Sequence, residues 1–116
     1  MNTVLAVELL KGLPTPWPRM ESDTHIMSTG SARPLEDAFR IAQLDLVHWV
    51  AQDCGLSHLD AYQFITQAVE APLANVCDTN YTSVAKLRKD WLPRGGTTMR
   101  GVHEQLKETA RTYLGR

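Results

Sequence analysis

The chain is 116 residues long, 43% apolar and 22% charged, with twelve Lys and Arg against thirteen Asp and Glu for a formal net charge of −1. That is the length and composition of one soluble globular domain, and a charge this near zero gives no field to attract nucleic acid or an anionic membrane. No apolar run approaches the ~20 residues of a membrane span, and the first residues lack the pattern of a secretory signal, so the expectation is a cytoplasmic protein whose Cys54 and Cys77 are reduced structural thiols.

Taken in chain order, residues 3–10 (TVLAVELL) come first. Alternation sets Leu5, Val7 and Leu9 on one side and Glu8 on the other, which predicts a strand with one buried face. Gly12 ends it. Pro14, Pro16 and Pro18 then remove three backbone donors, so the stretch that follows reads as an extended connector. THIMS, residues 24–28, predicts a second short strand before Gly30.

At Pro34 the period changes to that of a helix. Proline suits the first helical position, and Glu36 and Asp37 favour the positive end of the helix dipole. Leu35, Ala38, Phe39, Ala42, Leu46, Trp49 and Val50 form an apolar stripe that runs to about Asp53. Gly55 supplies a left-handed C-terminal stop, with Leu56 folding back over the last turn, and Ser57 caps a second helix with Asp60 three residues on. Its stripe is read as Leu59, Tyr62, Ile65 and Val69, helped by Ala61 and Ala68, and Pro72 ends it near Glu70. Residues 73–77 and 82–87 predict two strands joined by the polar turn DTNY.

Beyond Pro93 lies a glycine-rich joint at 94–101. Residues 102–114 then predict an amphipathic helix with Val102, Leu106, Ala110, Tyr113 and Leu114 on one face. The fold expected is α+β: two amphipathic helices packed on a small, mostly antiparallel sheet, plus a C-terminal helix. Residues 1–94 form its main region and residues 95–116 the joint and tail helix.

Several stretches together resemble the C-terminal region of the acetamidase/formamidase family. They are Pro18-Arg19-Met20-Glu21, the strand end Ser28-Thr29-Gly30, the helix start Leu35 to Ala38, the turn Gly55-Leu56-Ser57, the pair Ala61-Tyr62 and the run Leu73 to Asp78. The likeness covers roughly residues 3–93 and rests on their ordered succession. It implies hydrolysis of a small linear amide to a carboxylate and ammonia. It also implies a homo-oligomer, or an N-terminal portion lying outside this sequence, because the family's Gly-Asn-Met-Asp and Gly-Asp-x-His segments are not found here. The chain by itself is therefore expected to be catalytically weak or inactive. It departs from the family at Thr66 and Glu70, where Ser-x-x-x-Asp is usual, at Pro72, where a basic residue is common, and at Arg88, where a proline-lysine pair usually begins.

Amide hydrolysis requires an activated water or nucleophile, a stabiliser of the oxyanion and a proton donor for the leaving nitrogen. Glu21 and His25, four residues apart, would share a side of one extended strand and form a base with its orienter. Glu70, at the negative end of a helix, is the candidate general acid. Each also reads as a solvated or contact carboxylate or a half-buried imidazole of no catalytic use. His48, His58 and His103 have no zinc-ligand spacing, no metal ligands are assigned, and no residue pattern specifies a cofactor. A reading of another class is a non-catalytic interaction module, or a split-gene partner that docks on a separate N-terminal portion. Such a module should expose an apolar patch.

Overall fold

The computed structural model describes residues 1–93 and 98–115. The chain divides into two units, Thr15–Gly96 and Met1–Pro14 with Thr97–Arg116. Part of the glycine-rich joint expected at 94–101 lies outside the described residues.

In the larger unit, four strands form one antiparallel sheet. They are β1 (Arg19–Glu21), β2 (His25–Ala32), β3 (Leu73–Asn75) and β4 (Tyr81–Arg88), in the spatial order β1-β2-β4-β3. β1 lies in the stretch read from sequence as a connector. Ser22 makes it a strand by closing a tight turn: its backbone N–H donates to the His25 carbonyl at 2.9 Å, and its hydroxyl accepts the His25 N–H at 3.0 Å. β2 and β4 pair from His25↔Arg88 to Ala32↔Tyr81. Between them the chain makes α1 (Leu35–Cys54) and α2 (His58–Ala68).

α1 lies against one face of the sheet. Opposed residues on neighbouring strands point to the same side, so Ile26/Leu87, Ser28/Ala85 and Gly30/Ser83 form that face, and all are buried. Ala38, Ala42, Leu46, Trp49 and Val50 meet them from the helix. The approach is close enough that Gly30 has no room for a side chain: a Cβ there would stand 2.3 Å from the Ala38 carbonyl oxygen and 2.7 Å from the Ala42 nitrogen. Leu35 and Phe39, read as the start of the buried stripe, are 36% and 45% exposed.

The helix boundaries follow local chemistry. Gly55 adopts φ +65°, and the Gly55 and Leu56 N–H groups both reach the Ala51 carbonyl, which stops α1. Ser57 accepts the Asp60 N–H at 3.1 Å and donates its hydroxyl to the Asp60 carboxylate at 2.7 Å, which starts α2. The buried side of α2 is Ala61 and Ile65, with Phe64 and Ala68 half-buried beside them. Leu59 and Tyr62, expected to face the core, are 65% and 59% exposed. The i, i+3, i+4, i+7 series that wins begins at Ala61, whose small side chain lets the helix come close.

In the smaller unit, α3 (Val102–Leu114) forms as expected, with Val102, Leu106 and Ala110 half-buried on one side. The strand expected over residues 3–10 does not form. Residues 1–10 have no regular secondary structure, and Leu5, Val7 and Leu9 are 84%, 91% and 79% exposed. A strand needs a ladder partner, and the alternating pattern cannot supply one. Cys54 is buried and Cys77 exposed, both as free thiols. Among the described residues, no helix is long and apolar enough to cross a membrane.

Candidate functional site

The end of α2 sets up the first candidate group. Pro72 bars helical geometry just beyond it, so the chain leaves the helix at Val69, and Glu70 pairs in β fashion with Lys86 of β4. The two exchange backbone bonds of 2.9 and 2.8 Å. The Glu70 carboxylate then reaches across the sheet face opposite α1. Its Oε1 lies 3.8 Å from His25 Nε2 and its Oε2 lies 3.9 Å from Lys86 Nζ. His25 Nδ1 is 2.8 Å from the Thr24 hydroxyl, so both ring nitrogens have polar neighbours. Arg88, the cross-strand partner of His25, pairs with Asp90 and stacks over Trp91 at 5.6 Å. The His25 side chain is 20% exposed, Lys86 31% and Glu70 56%, so the group is open to a small molecule.

Glu21 does not join it. The Ser22 turn puts Glu21 and His25 on two strands, where Glu21 opposes Ile26 and so points to the α1 face while His25 points away. The shared side expected from their four-residue spacing is lost because the stretch is a hairpin. Glu21 is held instead by Lys89, Oε1 to Nζ 2.7 Å, and Lys89 also donates to the Ser22 carbonyl at 3.3 Å. The structure therefore brings together His25 and Glu70, adds Lys86, and separates Glu21 from both.

A second polar group lies buried beneath β1 and β2. Arg19 grips Asp45 of α1 with two parallel bonds, Nε to Oδ2 2.9 Å and Nη2 to Oδ1 2.8 Å, and Ser28 donates its hydroxyl to the same carboxylate. The guanidinium lies 4.9 Å from the Trp49 ring, whose Nε1 donates to Asp53 at 2.9 Å. Burial pushes the Asp45 carboxyl up, but hydrogen bonds from Arg19 and Ser28 and the charges of Arg19 and His48 outweigh it and hold the pKa below the ordinary aspartate value. This group ties the strand end Ser28-Thr29-Gly30 to α1. Reading residue types for reactive pairs missed it. The signal was present: Asp45 follows Ala42 by three and precedes Trp49 by four, which places a carboxylate within the apolar stripe, and such a carboxylate needs a cation.

The outer side of the helices carries an apolar groove of about 640 Å³ walled by Phe39, Leu44, Val47, Leu59 and Tyr62. The His48 and His58 rings meet at its rim, with centroids 5.0 Å apart.

Comparison with known proteins places this geometry. A crystal structure of an acetamidase from Yersinia enterocolitica matches with a TM-score of 0.71 and 46% sequence identity, over 73% of this chain and 26% of that one. The present sequence thus spans about a quarter of that acetamidase's length. No family model matches the sequence, and no curated protein matches it. The resemblance to acetamidases read from the residues is borne out over the shared region.

Proposed function

We propose that this chain is the C-terminal portion of an amidohydrolase that cleaves small linear amides of the formamide and acetamide type. The observation that carries the reading is the 46% identity to an acetamidase at a TM-score of 0.71. Identity of that size over a shared fold supports common ancestry and a common chain path.

In the proposed reaction water adds to the amide carbonyl carbon, the carbon–nitrogen bond breaks, and the products are a carboxylate and ammonia, which leaves as the ammonium ion with the carboxylic proton. His25 takes the proton from the attacking water and returns it to the leaving nitrogen. Glu70 orients the imidazole and balances its positive charge, in place of the general-acid role assigned to it from sequence. Lys86 faces the developing oxyanion. Glu21, tied to Lys89 on the other side of the sheet, holds the hairpin and takes no part in the chemistry. The enzyme works in the cytoplasm, where Cys54 and Cys77 stay reduced.

The acetamidase has about three quarters of its length beyond the matched region, so the site is completed by residues outside this sequence. The test is ammonia release from formamide and acetamide. The chain alone should give no turnover, and the chain assembled with the rest of an acetamidase should give robust turnover. His25→Gln and Glu70→Gln should each lower kcat of the assembled enzyme by ~10²-fold or more, the scale of a lost general base. Full activity in both variants refutes the site.

The second reading is a non-catalytic docking module, in which the chain contributes a surface and no chemistry. It is favoured by the exposure of Phe39, Leu44, Leu59 and Tyr62 around the helical groove. It requires an assembled protein whose activity is indifferent to His25 and Glu70, so the same variants separate the two.

A further inference from the structure

Residues 3–9 carry a strand pattern but form no strand. Thr3, Leu5, Val7 and Leu9 alternate with Val4, Ala6 and Glu8, and three of the seven are β-branched, a composition suited to a pleated surface and poor for a helix. Gly12 at φ +72° and the prolines beyond it bound the segment sharply. In the structure residues 1–9 are all exposed, and residues 3–9 make no backbone–backbone hydrogen bond with the described residues. Thr3 to Ala6 pass beside Thr109, Ala110 and Tyr113 of α3, a contact that leaves Leu5 84% exposed and uses none of the segment's backbone groups.

We infer that residues 3–9 are an interface strand, which adds to the edge of a β-sheet in the acetamidase-like polypeptide that completes this region. The inference rests on the amidase reading above and names the element through which completion occurs. Strand addition explains both anomalies together. The sheet edge supplies ladder partners for the idle N–H and C=O groups. Its apolar face receives Leu5, Val7 and Leu9, which period-two alternation brings to one side. The completing polypeptide is favoured over a second copy by the comparison itself. In the Yersinia enterocolitica acetamidase the matched region is joined to about three times its own length of further chain. That continuation of the chain, rather than a second copy, is the proposed occupant.

The experiment mixes the full 116-residue chain with Yersinia enterocolitica acetamidase lacking its matching region. Complex formation, ammonia release and amide hydrogen exchange are each read. The expected result is a one-to-one complex in which amides within residues 3–9 exchange about a hundredfold more slowly than in the chain alone. Val7→Pro, which removes a ladder donor, should weaken the complex by about tenfold or more, while the strand-compatible Val7→Thr should bind within a few fold of the parent. Neither change should alter thermal unfolding of the chain alone, where the segment has no ladder to lose. A complex that is active while residues 3–9 exchange freely, or that Val7→Pro does not weaken, overturns the interface strand and leaves the amidase reading intact. Protection in the chain alone that grows with its concentration makes the partner a second copy and overturns the inference. Failure to form any complex overturns the interface strand, whereas a complex with residues 3–9 protected that releases no ammonia overturns the amidase reading.

Discussion

Replacing Asp45 by Asn is the sharpest single perturbation of this fold. The two side chains of the Arg19–Asp45 pair are only 7% and 2% exposed, and both guanidinium bonds are shorter than 3 Å. Asparagine keeps the shape but removes the charge, leaving Arg19 as a desolvated cation and turning one amide N–H₂ group toward it. Breaking a buried pair from one side costs about 3–5 kcal/mol, out of a total stability of ~5–15 kcal/mol for a small domain. With a urea m-value of ~1–3 kcal/mol/M, the unfolding midpoint should fall by at least ~1 M. At ~4–8 °C per kcal/mol for a domain of this size, Tm should fall by ~12 °C or more.

The assay is urea unfolding followed by tryptophan fluorescence, to which Trp49, lying against the Arg19 guanidinium, contributes alongside Trp17 and Trp91. Changing both partners together, Arg19→Met with Asp45→Leu, should recover most of the loss, because an apolar pair of similar volume leaves no buried charge. A D45N protein within 1 kcal/mol of the parent would refute the claim that this pair is buried and obligatory. The pH dependence has a fixed sign. The folded-state pKa of Asp45 is depressed, so its stabilisation is complete above the unfolded aspartate value of about 3.9 and is lost as pH falls through the lower folded value. The D45N variant should lack this acid-labile component.

Gly30→Ala would push a methyl group into the α1 backbone at Ala38 and Ala42, and should cost ~3 kcal/mol, the upper end for overpacking, because backbone yields less readily than side chain. Chemical denaturation measures it, and a loss below 1 kcal/mol means that α1 does not sit this close to β2. Gly55→Ala forces a Cβ onto a residue at φ +65° and should destabilise by about 1–2 kcal/mol; thermal melts showing no change would contradict the left-handed stop. Ser57→Ala removes the cap of α2 and should cost ~1 kcal/mol, with amides 58–61 exchanging faster than in the parent, whereas unchanged exchange there would show that the cap contributes little.

Features decided by neighbours in sequence were legible before any coordinates. Gly55 and Ser57 mark where one helix ends and the next begins because capping involves only adjacent backbone groups. The strands expected at 73–77 and 82–87 form with ends shifted by one or two residues, and the helix expected at 102–114 forms over those residues. What escaped depends on distant partners. Residues 3–10 have the composition of a strand, but strand formation needs an edge to pair with, and no pattern within the segment encodes one. The Ser22 turn, a single hydroxyl and carbonyl exchange, reverses the chain between Glu21 and His25 and so separated two residues whose spacing had suggested a shared side.

Likewise, the approach of Glu70 to His25 spans two strands and a helix end. Spacing offers no route to such a contact, which is set by the register of β2 on β4. The buried face of α2 is set by Ala61, whose small side chain allows close packing, while the larger Leu59 and Tyr62 stay exposed.

The most direct test of the account replaces the matching region of the Yersinia enterocolitica acetamidase with this sequence and measures ammonia release from acetamide. The account predicts a folded chimaera that hydrolyses acetamide and loses at least ~10²-fold in kcat on His25→Gln. A folded chimaera with no turnover, or one indifferent to His25, would contradict it.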